Sequence, residues 1–528
     1  MTDTVQKLLH ALASSNRTAL RSGDESWTWR ELVAESTRRA DALLGLAPDG
    51  PLHVGVLADN TPEFVMALCA GAIGGYVSVG INTTRRGEGL AADVRKADCS
   101  VLLVESTYAS LLEGLDLGGA RVIDVASDEW KSLIESAAPQ PHRDVDTMDT
   151  FMLIFTSGTS GDPKAVQVSN FMVVMAGARL QELFSLTEED VCYVSMPLFH
   201  SNAVASGFGP SVASGAAMAL APKFSASTFL ADIRRYGATY LNYVGKPLAY
   251  VLATPRLPDD ADNPLRQAFG NEASGKDQRE FAERFGCAVY DGFGSTENAV
   301  IISPVPDMPA GSIGQPWDGV AVFDREAMTE CPRAIFDEHG AVANLDEAVG
   351  EIVNTAGAGF FSGYYNDQQA TDERMAQGMY WSGDLGYRDA DGFMYLAGRT
   401  SDWLRVDGEN LAAGPIEQIL LRHPAVNRVA VYGIPDPSAG DQLVAAIVLQ
   451  SELDPAGFEA FLAEQKDLSS KGWPRYVRIA DDLPSTATNK VLKRDLIAQA
   501  LNTTDELWER EARGTRYHRW SSSEAVDG

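Results

Sequence analysis

Short apolar runs alternate with helical patterns through roughly the first half of the chain, and this alternation limits the folds open to it. The pattern predicts a strand over residues 52–57, a helix over 62–73 and another strand over 76–81. Further strands are predicted at 101–104, 121–125, 192–196, 239–244 and 287–290. Strands that alternate with helices form parallel sheets covered on both faces. We therefore predict an α/β fold with parallel, doubly wound βα sheets, whose ligands bind at the carboxyl ends of the strands.

The pattern changes after about residue 400. The predicted elements there are a helix over 414–421, strands over 428–432 and 443–449, a helix over 458–464, a strand over 476–479 and a helix from 491. This combination is typical of a small α+β domain of about 125 residues. Because 528 residues exceed what one hydrophobic core supports, we predict two domains. They are a large N-terminal domain, residues 1–400, and a small mobile C-terminal domain, residues 401–528.

Charge and cysteine content exclude several functional classes. The formal net charge of −30 argues against binding to nucleic acids or anionic membrane surfaces. The five cysteines are widely spaced without a CxxC pair, so neither a disulfide framework nor a zinc site is predicted. The N-terminus lacks the pattern of a signal peptide, and the uncharged stretch 201–222 is too weakly hydrophobic for a membrane span. We expect a cytoplasmic protein without a membrane span, in which residues 201–222 form a buried helix.

The most informative motif is the string Phe-Thr-Ser-Gly-Thr-Ser-Gly-Asp-Pro-Lys at residues 155–164, which follows the apolar run 152–154. Glycines let the backbone approach an anion closely, and consecutive N–H groups with hydroxyls and an ammonium form a phosphate cradle. The string is not a Walker A loop, because Pro163 precedes Lys164 and Ala165 follows it. A flexible surface loop is the structural alternative, but the position directly after a buried strand favours phosphate binding.

Five further motifs follow in the chain. They are Met-Pro-Leu-Phe-His at 196–200, Gly-Phe-Gly-Ser-Thr-Glu at 292–297, Tyr-Trp-Ser-Gly-Asp-Leu-Gly at 380–386, Gly-Arg-Thr-Ser-Asp at 398–402 and Pro-Ser-Thr-Ala-Thr-Asn-Lys at 484–490. In this order the motifs resemble those of the adenylate-forming superfamily, which includes acyl-CoA synthetases, peptide-synthetase adenylation domains and luciferases. The chain looks most similar to fatty-acid and steroid side-chain acyl-CoA ligases.

The resemblance implies an AMP-forming acid–CoA ligase that uses ATP, Mg²⁺ and CoA. Such an enzyme converts a carboxylic acid into an acyl-AMP with release of pyrophosphate, and then transfers the acyl group to CoA. The alternatives are a carrier protein or an amine as the acceptor, or activation of nitrite for diazotisation of an aryl amine in a biosynthetic pathway. The negative net charge disfavours an acidic carrier protein. A monomer and a homodimer are both compatible with the sequence.

The resemblance also assigns residues to the phosphates and to catalysis. The phosphate-binding residues are Thr156, Ser157, Gly158, Thr159, Ser160, Gly161 and Lys164. Glu297 matches the Mg²⁺ ligand of the family, and its hard carboxylate oxygens suit that ion. Lys490 matches the catalytic lysine that approaches the α-phosphate and the carboxylate. Thr156 and His200 complete the implied catalytic set, with His200 as a gate between the acyl pocket and the thiol tunnel.

The remaining nucleotide and CoA contacts are implied by the same resemblance. They are Asn271 and Glu272 over the adenine, Phe293 stacked on it, Gly294 and Ser295 next in the motif, Thr296 at the α-phosphate, Asp384 at the ribose hydroxyls and Arg399 at the ribose–phosphate region. A salt bridge with a neighbouring acid is the structural alternative for Arg399. Gly408 matches the glycine that lets the pantetheine arm of CoA pass. Ser401 occupies the hinge position, where Asp or Lys is usual.

An acyl pocket is also implied. Its residues are His200, Asn202, Val204, Tyr243, Gly294 and Asn298. In the family, a bulky residue at the position of Gly294 restricts the pocket to short acids, so an open floor is expected here. Asn298 is expected to make one side of this pocket narrower and more polar. A fatty, steroidal, aromatic or medium-length acid is therefore compatible with the sequence.

Overall fold

The computed structural model of the protein describes most of its 528 residues. The described residues are 3–47, 51–156, 163–244, 246–271, 273, 275–305, 308–309, 311–338, 342–399, 403–406, 409–436, 440–468, 472–485, 491–511 and 514–520. None of the helices in this part of the chain combines the length and the apolarity that a bilayer span requires.

The chain divides into two compact units. The first comprises residues 1–273, 277–299 and 358–377, and the second comprises 274–276, 300–357 and 378–528. The domain boundary near residue 400 stays a prediction.

The strands and helices have the following bounds. The strands are β1 (Thr18–Ser22), β2 (Glu25–Thr28), β3 (His53–Leu57), β4 (Val77–Gly80), β5 (Val101–Val104), β6 (Arg121–Asp124), β7 (Thr150–Thr156), β8 (Lys164–Ser169), β9 (Val191–Val194), β10 (Ala217–Leu220), β11 (Tyr240–Val244), β12 (Gln267–Asn271), β13 (Ala288–Asp291), β14 (Ile302–Ser303), β15 (Gln315–Pro316), β16 (Val320–Asp324), β17 (Thr329–Glu330), β18 (Gly350–Asn354), β19 (Met375–Ala376), β20 (Met379–Arg388), β21 (Met394–Arg399), β22 (Trp403–Val406), β23 (Glu409–Ala412), β24 (Val426–Asp436), β25 (Gly440–Leu449), β26 (Tyr476–Ile479), β27 (Glu506–Arg510) and β28 (Tyr517–Arg519). The α-helices are α1 (Val5–Leu12), α2 (Trp29–Leu44), α3 (Pro62–Gly74), α4 (Gly87–Lys96), α5 (Ser106–Ala109), α6 (Asp128–Glu135), α7 (Asn170–Phe184), α8 (Ser201–Ala203), α9 (Gly209–Ser214), α10 (Phe229–Tyr236), α11 (Lys246–Leu252), α12 (Gly275–Phe285), α13 (Leu345–Ala348), α14 (Gln368–Arg374), α15 (Ala413–Leu420), α16 (Pro455–Glu464) and α17 (Lys493–Gln499). A short 3₁₀-helix covers Ser110–Leu112 and a π-helix covers Val204–Phe208.

The first unit contains two largely parallel sheets. One has the strand order β6–β5–β3–β4–β7–β8, in which only the β7–β8 pair is antiparallel. The other has the order β13–β12–β11–β9–β10–β1–β2, in which only the β1–β2 pair is antiparallel. Every residue of β3 and β5 is buried, as expected for parallel strands between helical layers.

Local sequence signals set the ends of the helices beside these sheets, and α3 is an example. It begins after Thr61, whose side chain accepts a hydrogen bond from the Phe64 N–H, and proline occupies its first position. It ends at Gly75, whose φ of 74° lies in the left-handed region that favours glycine. Nearly all of its residues are buried, so α3 lies inside the unit rather than on its surface.

The second unit is mainly antiparallel. One sheet has the order β17–β16–β18–β20, and β21 also pairs with β20. The C-terminal sheet has the order β23–β22–β25–β26–β27–β28, with β24 paired to β25. Buried side chains of this sheet, including Ile447 and Trp508, pack with Leu420 of α15 and Phe458 of α16. These residues form the hydrophobic core of the C-terminal sheet.

The α/β prediction is confirmed, and most predicted elements are present with ends shifted by a few residues. The strand predicted at 52–57 is His53–Leu57, and the strand pair after residue 400 is Val426–Asp436 and Gly440–Leu449. The single helix expected over 201–222 is wrong. That stretch forms α8, the π-helix, α9 and the strand β10, because Gly215 ends α9 with a left-handed φ of 75°.

A buried ion pair fixes α12 to the segment before β12. Arg284 Nε donates to Asp260 Oδ2 at 2.7 Å, and the side chains of the two residues are 6% and 3% exposed. The other guanidinium N–H groups donate to carbonyl oxygens that include those of Val251, Leu252 and Pro255. One arginine therefore pairs with a buried carboxylate and also donates to several backbone carbonyl groups.

Replacing Arg284 by methionine should lower the free energy of unfolding by about 3–5 kcal/mol, because it leaves a buried carboxylate without its charged partner and buried carbonyl groups without donors. Chemical denaturation would measure this loss. Arg235→Met is the matched control, because Arg235 pairs with Asp24 at the exposed surface. This substitution should lower the free energy of unfolding by less than about 1 kcal/mol. Equal effects of the two substitutions would contradict the structural role of Arg284.

Candidate active site

The flanks of the predicted phosphate loop are held together by an antiparallel strand pair. β7 ends at Thr156, β8 begins at Lys164, and these residues are partners in the register. Thr156 Oγ1 lies 3.5 Å from the Lys164 carbonyl oxygen. The pair therefore brings the two ends of the loop together at the carboxyl end of β7. The loop residues Ser157, Gly158, Thr159, Ser160 and Gly161 lie outside the described residues.

The side chain of Lys164 is buried beside an aromatic ring. Only 8% of it is exposed, and its Nζ lies 5.2 Å from the centroid of the Tyr364 ring. Glu373 Oε2 is 3.9 Å from Nζ, but the Glu373 side chain is 58% exposed, so solvent weakens this ion pair. A buried ammonium that is only weakly neutralised favours the binding of an anion such as a phosphate.

The carboxylate of Glu297 contacts the hydroxyl of the same tyrosine. Tyr364 Oη donates to Glu297 Oε1 at 2.8 Å, and both residues are buried. Burial, together with the negative charge of Glu297, raises the pKa of Tyr364, so the hydroxyl keeps its proton and remains a donor near neutral pH. Arg374 Nε lies 3.4 Å from the same hydroxyl oxygen. Tyr364 thus connects Glu297 with Lys164, two residues predicted at the phosphate end of ATP.

Tyr364 was not identified from the sequence. It lies in the segment 361–367, which runs beside the edge strand β8. Tyr364 forms an antiparallel bridge with Val166, and the Tyr365 N–H donates to the Ala165 carbonyl oxygen at 2.8 Å. The aromatic residues at 360, 361, 364 and 365 were the available signal for an extended segment, since aromatic residues favour strands. They do not indicate a contact with Glu297.

The motif at 196–200 leads into α8, which contacts the motif at 292–297. Ser201 Oγ and Thr296 Oγ1 are 2.9 Å apart, and the ring of His200 packs against its neighbour Phe199 at a centroid distance of 4.6 Å. Asn298 has a φ of 53°, a left-handed conformation that asparagine adopts more readily than most residues. The chain thus turns directly after Thr296, which contacts Ser201, and Glu297, which contacts Tyr364.

Three asparagine side chains form a hydrogen-bonded chain near the carboxyl ends of β11 and β12. Asn242 Nδ2 donates to Asn202 Oδ1 at 2.7 Å, and Asn202 Nδ2 donates to Asn271 Oδ1 at 3.4 Å. Asn202 Nδ2 also donates to the Tyr243 carbonyl oxygen at 3.0 Å, and Asn271 Nδ2 donates to the Gly292 carbonyl oxygen at 2.6 Å. Both N–H groups and the carbonyl oxygen of Asn202 are therefore engaged within the protein.

Two glycines near this asparagine chain have different surroundings. A Cβ at Gly270 would lie 2.3 Å from the Tyr243 carbonyl oxygen, so glycine permits the close approach of β11 and β12. Among the described residues, a Cβ at Gly294 would meet only Asn271 Nδ2, at 3.8 Å. Within the described part of the chain the space beside Gly294 is therefore open, and its role as the floor of an acyl pocket stays a prediction. Val204 and Tyr243, which were also predicted to line the acyl pocket, are buried.

In the second unit, Asp384 and Arg399 lie opposite each other on β20 and β21. They are register partners, and Arg399 Nε lies 2.9 Å from Asp384 Oδ1. The salt bridge considered as the alternative for Arg399 is thus present. The Asp384 side chain is 9% exposed and the Arg399 side chain is 43% exposed, so the guanidinium reaches solvent while the carboxylate is largely enclosed.

Four other predicted site residues, Glu272, Ser401, Gly408 and Lys490, lie outside the described residues. Within the described ranges, no three histidine, cysteine or acidic side chains come together as a metal site. A single buried carboxylate such as Glu297 nevertheless fits Mg²⁺, because this ion commonly binds one or two carboxylates together with substrate phosphates and water.

Two protein-family models match the chain. The model described as AMP-binding enzyme matches residues 10–365, and the model described as AMP-binding enzyme C-terminal domain matches residues 415–490. The first match contains the phosphate-loop, 196–200 and 292–297 motifs, and the second ends at Lys490.

Relatives with assigned activities match over nearly the whole chain. A medium/long-chain-fatty-acid–CoA ligase of Mycobacterium tuberculosis is 50% identical over 515 residues, which cover 96% of this chain and 98% of that protein. The steroid-22-oyl-CoA synthetase of Rhodococcus jostii is 44% identical over 532 residues, which cover 99% of this chain and 96% of that protein.

Solved structures share the fold. ATP-bound MatB of Rhodopseudomonas palustris matches with a TM-score of 0.83 at 23% identity, covering 94% of this chain and 99% of that chain. The o-succinylbenzoate–CoA synthetase of Bacillus subtilis, solved with its acyl-adenylate intermediate, matches with a TM-score of 0.79 at 26% identity. The match covers 94% of this chain and 98% of that chain. With both family models matched in order and relatives at 44–50% identity, the chain belongs to the AMP-binding, adenylate-forming enzyme family.

Proposed function

We propose that this protein is an AMP-forming acid–CoA ligase. It uses ATP to convert a carboxylic acid into an acyl-AMP with release of pyrophosphate, and it then transfers the acyl group to CoA to give a thioester. The observation that carries this conclusion is the identity of 50% and 44%, over nearly the full chain, with two proteins named as acid–CoA ligases.

In the first step, a carboxylate oxygen of the acid attacks the α-phosphorus of ATP. The bond from the α-phosphorus to the oxygen that bridges to the β-phosphate breaks, and pyrophosphate leaves. The buried Lys164 ammonium and the Thr156 hydroxyl, at the two ends of the loop, are suited to bind the departing phosphates. These groups act through positioning and charge stabilisation rather than through covalent chemistry.

Glu297 would hold a Mg²⁺ ion that accompanies ATP. One of its oxygens accepts the hydrogen bond from Tyr364, and among the described residues the other oxygen has no donor. When bound, the ion would compensate the charge that develops on the phosphates. The buried position of Glu297 favours such a role, because a buried carboxylate is stabilised by a cation.

Residues near the other motifs would bind the adenine, the ribose and the α-phosphate of ATP. Phe293 offers a flat apolar face to the adenine, and Asn271 lies beside it within the asparagine chain. Thr296, in contact with Ser201, would bind the α-phosphate. Asp384 would bind the ribose hydroxyls, and its ion pair with Arg399 would orient its carboxylate for that contact.

The C-terminal residues would serve the two steps in turn. Lys490 would approach the α-phosphate and the acid during adenylation, and Gly408 would admit the pantetheine arm of CoA during thioester formation. Ser401 would be the hinge between these two arrangements, and His200 would gate the passage from the acyl pocket to the thiol. A cytoplasmic location is also proposed, in keeping with five cysteines that form no disulfide.

The acid is proposed to be a medium- or long-chain fatty acid or a steroid side-chain acid. The open space at Gly294 supports a bulky acyl group. Asn202 is polar, but its amide groups are already hydrogen-bonded to Asn242, Tyr243 and Asn271, so it requires no polar partner from the substrate. An apolar acyl chain can therefore lie against Asn202 without leaving the amide of this residue unpaired.

The proposed activity can be tested by measuring pyrophosphate release with fatty, steroidal, aryl and inorganic acids, each with and without CoA. Release sustained over many turnovers should require ATP, one of the apolar acids and CoA, and the product should be an acyl-CoA thioester. Sustained turnover with nitrite, or a product that lacks CoA, would contradict the proposal.

Lys490→Ala should lower acid-dependent pyrophosphate release by at least about 100-fold, because it removes a charge that acts on the transition state. Chemically prepared acyl-AMP should still react with CoA at close to the wild-type rate. Lys493→Ala is the control, since Lys493 pairs with Glu417 at 2.9 Å and has no proposed contact with substrate. An unchanged first step in Lys490→Ala would refute the assigned role.

Gly294→Phe should reduce kcat/KM for a long-chain acid at least about 100-fold more than for acetate, because the ring would occupy the open floor of the pocket. Gly294→Ala is the matched control. Its added Cβ has an ordinary contact distance of 3.8 Å to Asn271 and should have little effect. If Gly294→Phe lowered kcat/KM equally for both acids, the acyl chain would not bind beside Gly294.

A further inference from the structure

We propose that Tyr364 is a positioning residue for adenylation, because one side chain holds both the carboxylate of Glu297 and the ammonium of Lys164. This inference rests on the proposed function, since it assigns those two groups to the phosphates of ATP. Tyr364 belongs to none of the motifs from which the site was predicted, and its contacts use two chemically different parts of the side chain.

The hydroxyl of Tyr364 acts on Glu297. The donor–acceptor distance is 2.8 Å, and the two residues are only 4% and 9% exposed. A hydrogen bond to a charged acceptor in such surroundings is stronger than one between neutral, solvated groups. It fixes the rotation of the carboxylate and commits Oε1, which leaves Oε2 as the oxygen available to a ligand.

The ring of Tyr364 acts on Lys164. The ammonium lies 5.2 Å from the ring centroid, within the range of a cation–π contact. Such a contact restrains the ammonium, which has three N–H donors, and leaves donors for phosphate oxygens. The hydroxyl and the ring therefore have separate tasks, and different substitutions can remove one or both.

Tyr364 is itself held by contacts on both sides of its segment. Its N–H donates to Thr371 Oγ1 at 2.9 Å, and its ring lies 5.0 Å from that of Phe361. Lys96 Nζ contacts Asp367 Oδ2 at 2.6 Å and donates to the Pro163 carbonyl oxygen at 3.2 Å. The hydrogen bond from Lys96 is the main cause that lowers the pKa of Asp367, so this pair is charged at neutral pH. The segment is thus tied to the residue directly before Lys164.

Isothermal titration calorimetry without the acid substrate tests the two tasks separately. Tyr364→Phe removes the hydroxyl and should raise the Kd for ATP with Mg²⁺ by roughly 10- to 100-fold, while the Kd for ATP in EDTA changes less than about twofold. Tyr364→Leu removes the ring as well and should weaken binding under both conditions. In a Glu297→Ala background, Tyr364→Phe should have no further effect, because its partner is absent.

Tyr365→Phe is the matched control. It also removes a tyrosine hydroxyl that donates to a carboxylate, Asp98 at 3.0 Å, but in a pair outside the site. It should leave both Kd values unchanged, and melting temperatures of all variants would separate stability from binding. Unchanged Mg²⁺-dependent binding in Tyr364→Phe, or an equal loss in the Glu297→Ala background, would overturn this inference alone. Failure of the wild-type protein to bind ATP would overturn it together with the proposed function.

Discussion

The buried hydrogen bond between Tyr364 and Glu297 joins parts of the chain that are 67 residues apart. It exists because the segment 361–367 lies along β8, whose first residue is Lys164. Strand β8, which pairs with β7 at the ends of the phosphate loop, therefore also holds the tyrosine that contacts the carboxylate proposed to bind Mg²⁺. A buried carboxylate and a buried ammonium are both costly without partners, and one tyrosine supplies a contact for each.

The second sheet of the first unit carries further residues of the proposed site at the ends of its strands. Parallel strands place the ends of β11, β12 and β13 together, and glycine at position 270 allows the first two to approach closely. The asparagine chain then links α8 to the turn that follows β13. Because the amide groups of Asn202 are all engaged within this network, Asn202 can adjoin an apolar substrate, and its identity alone is a poor guide to the acid.

The sequence was sufficient to predict the fold class and the elements with strong local periodicity, such as β3, α3 and the pair β24–β25. It did not predict the strands between residues 300 and 390. Several of them, such as β14, β15 and β17, are only two residues long, which is too short for an alternation of apolar and polar residues to be recognised. Motif resemblance located Glu297 and Lys164. It could not locate Tyr364, whose role depends on a long-range contact, or the saturation of Asn202 by its neighbours.

In the proposed first step, the carboxylate oxygen of the substrate attacks the α-phosphorus of ATP. The most direct measurement uses an acid labelled with ¹⁸O in its carboxylate, followed by mass spectrometry of the nucleotide product after complete turnover. We expect AMP to carry one labelled oxygen, because cleavage of the acyl-AMP by the thiol leaves that oxygen on phosphorus. Unlabelled AMP with label in pyrophosphate or phosphate would contradict it.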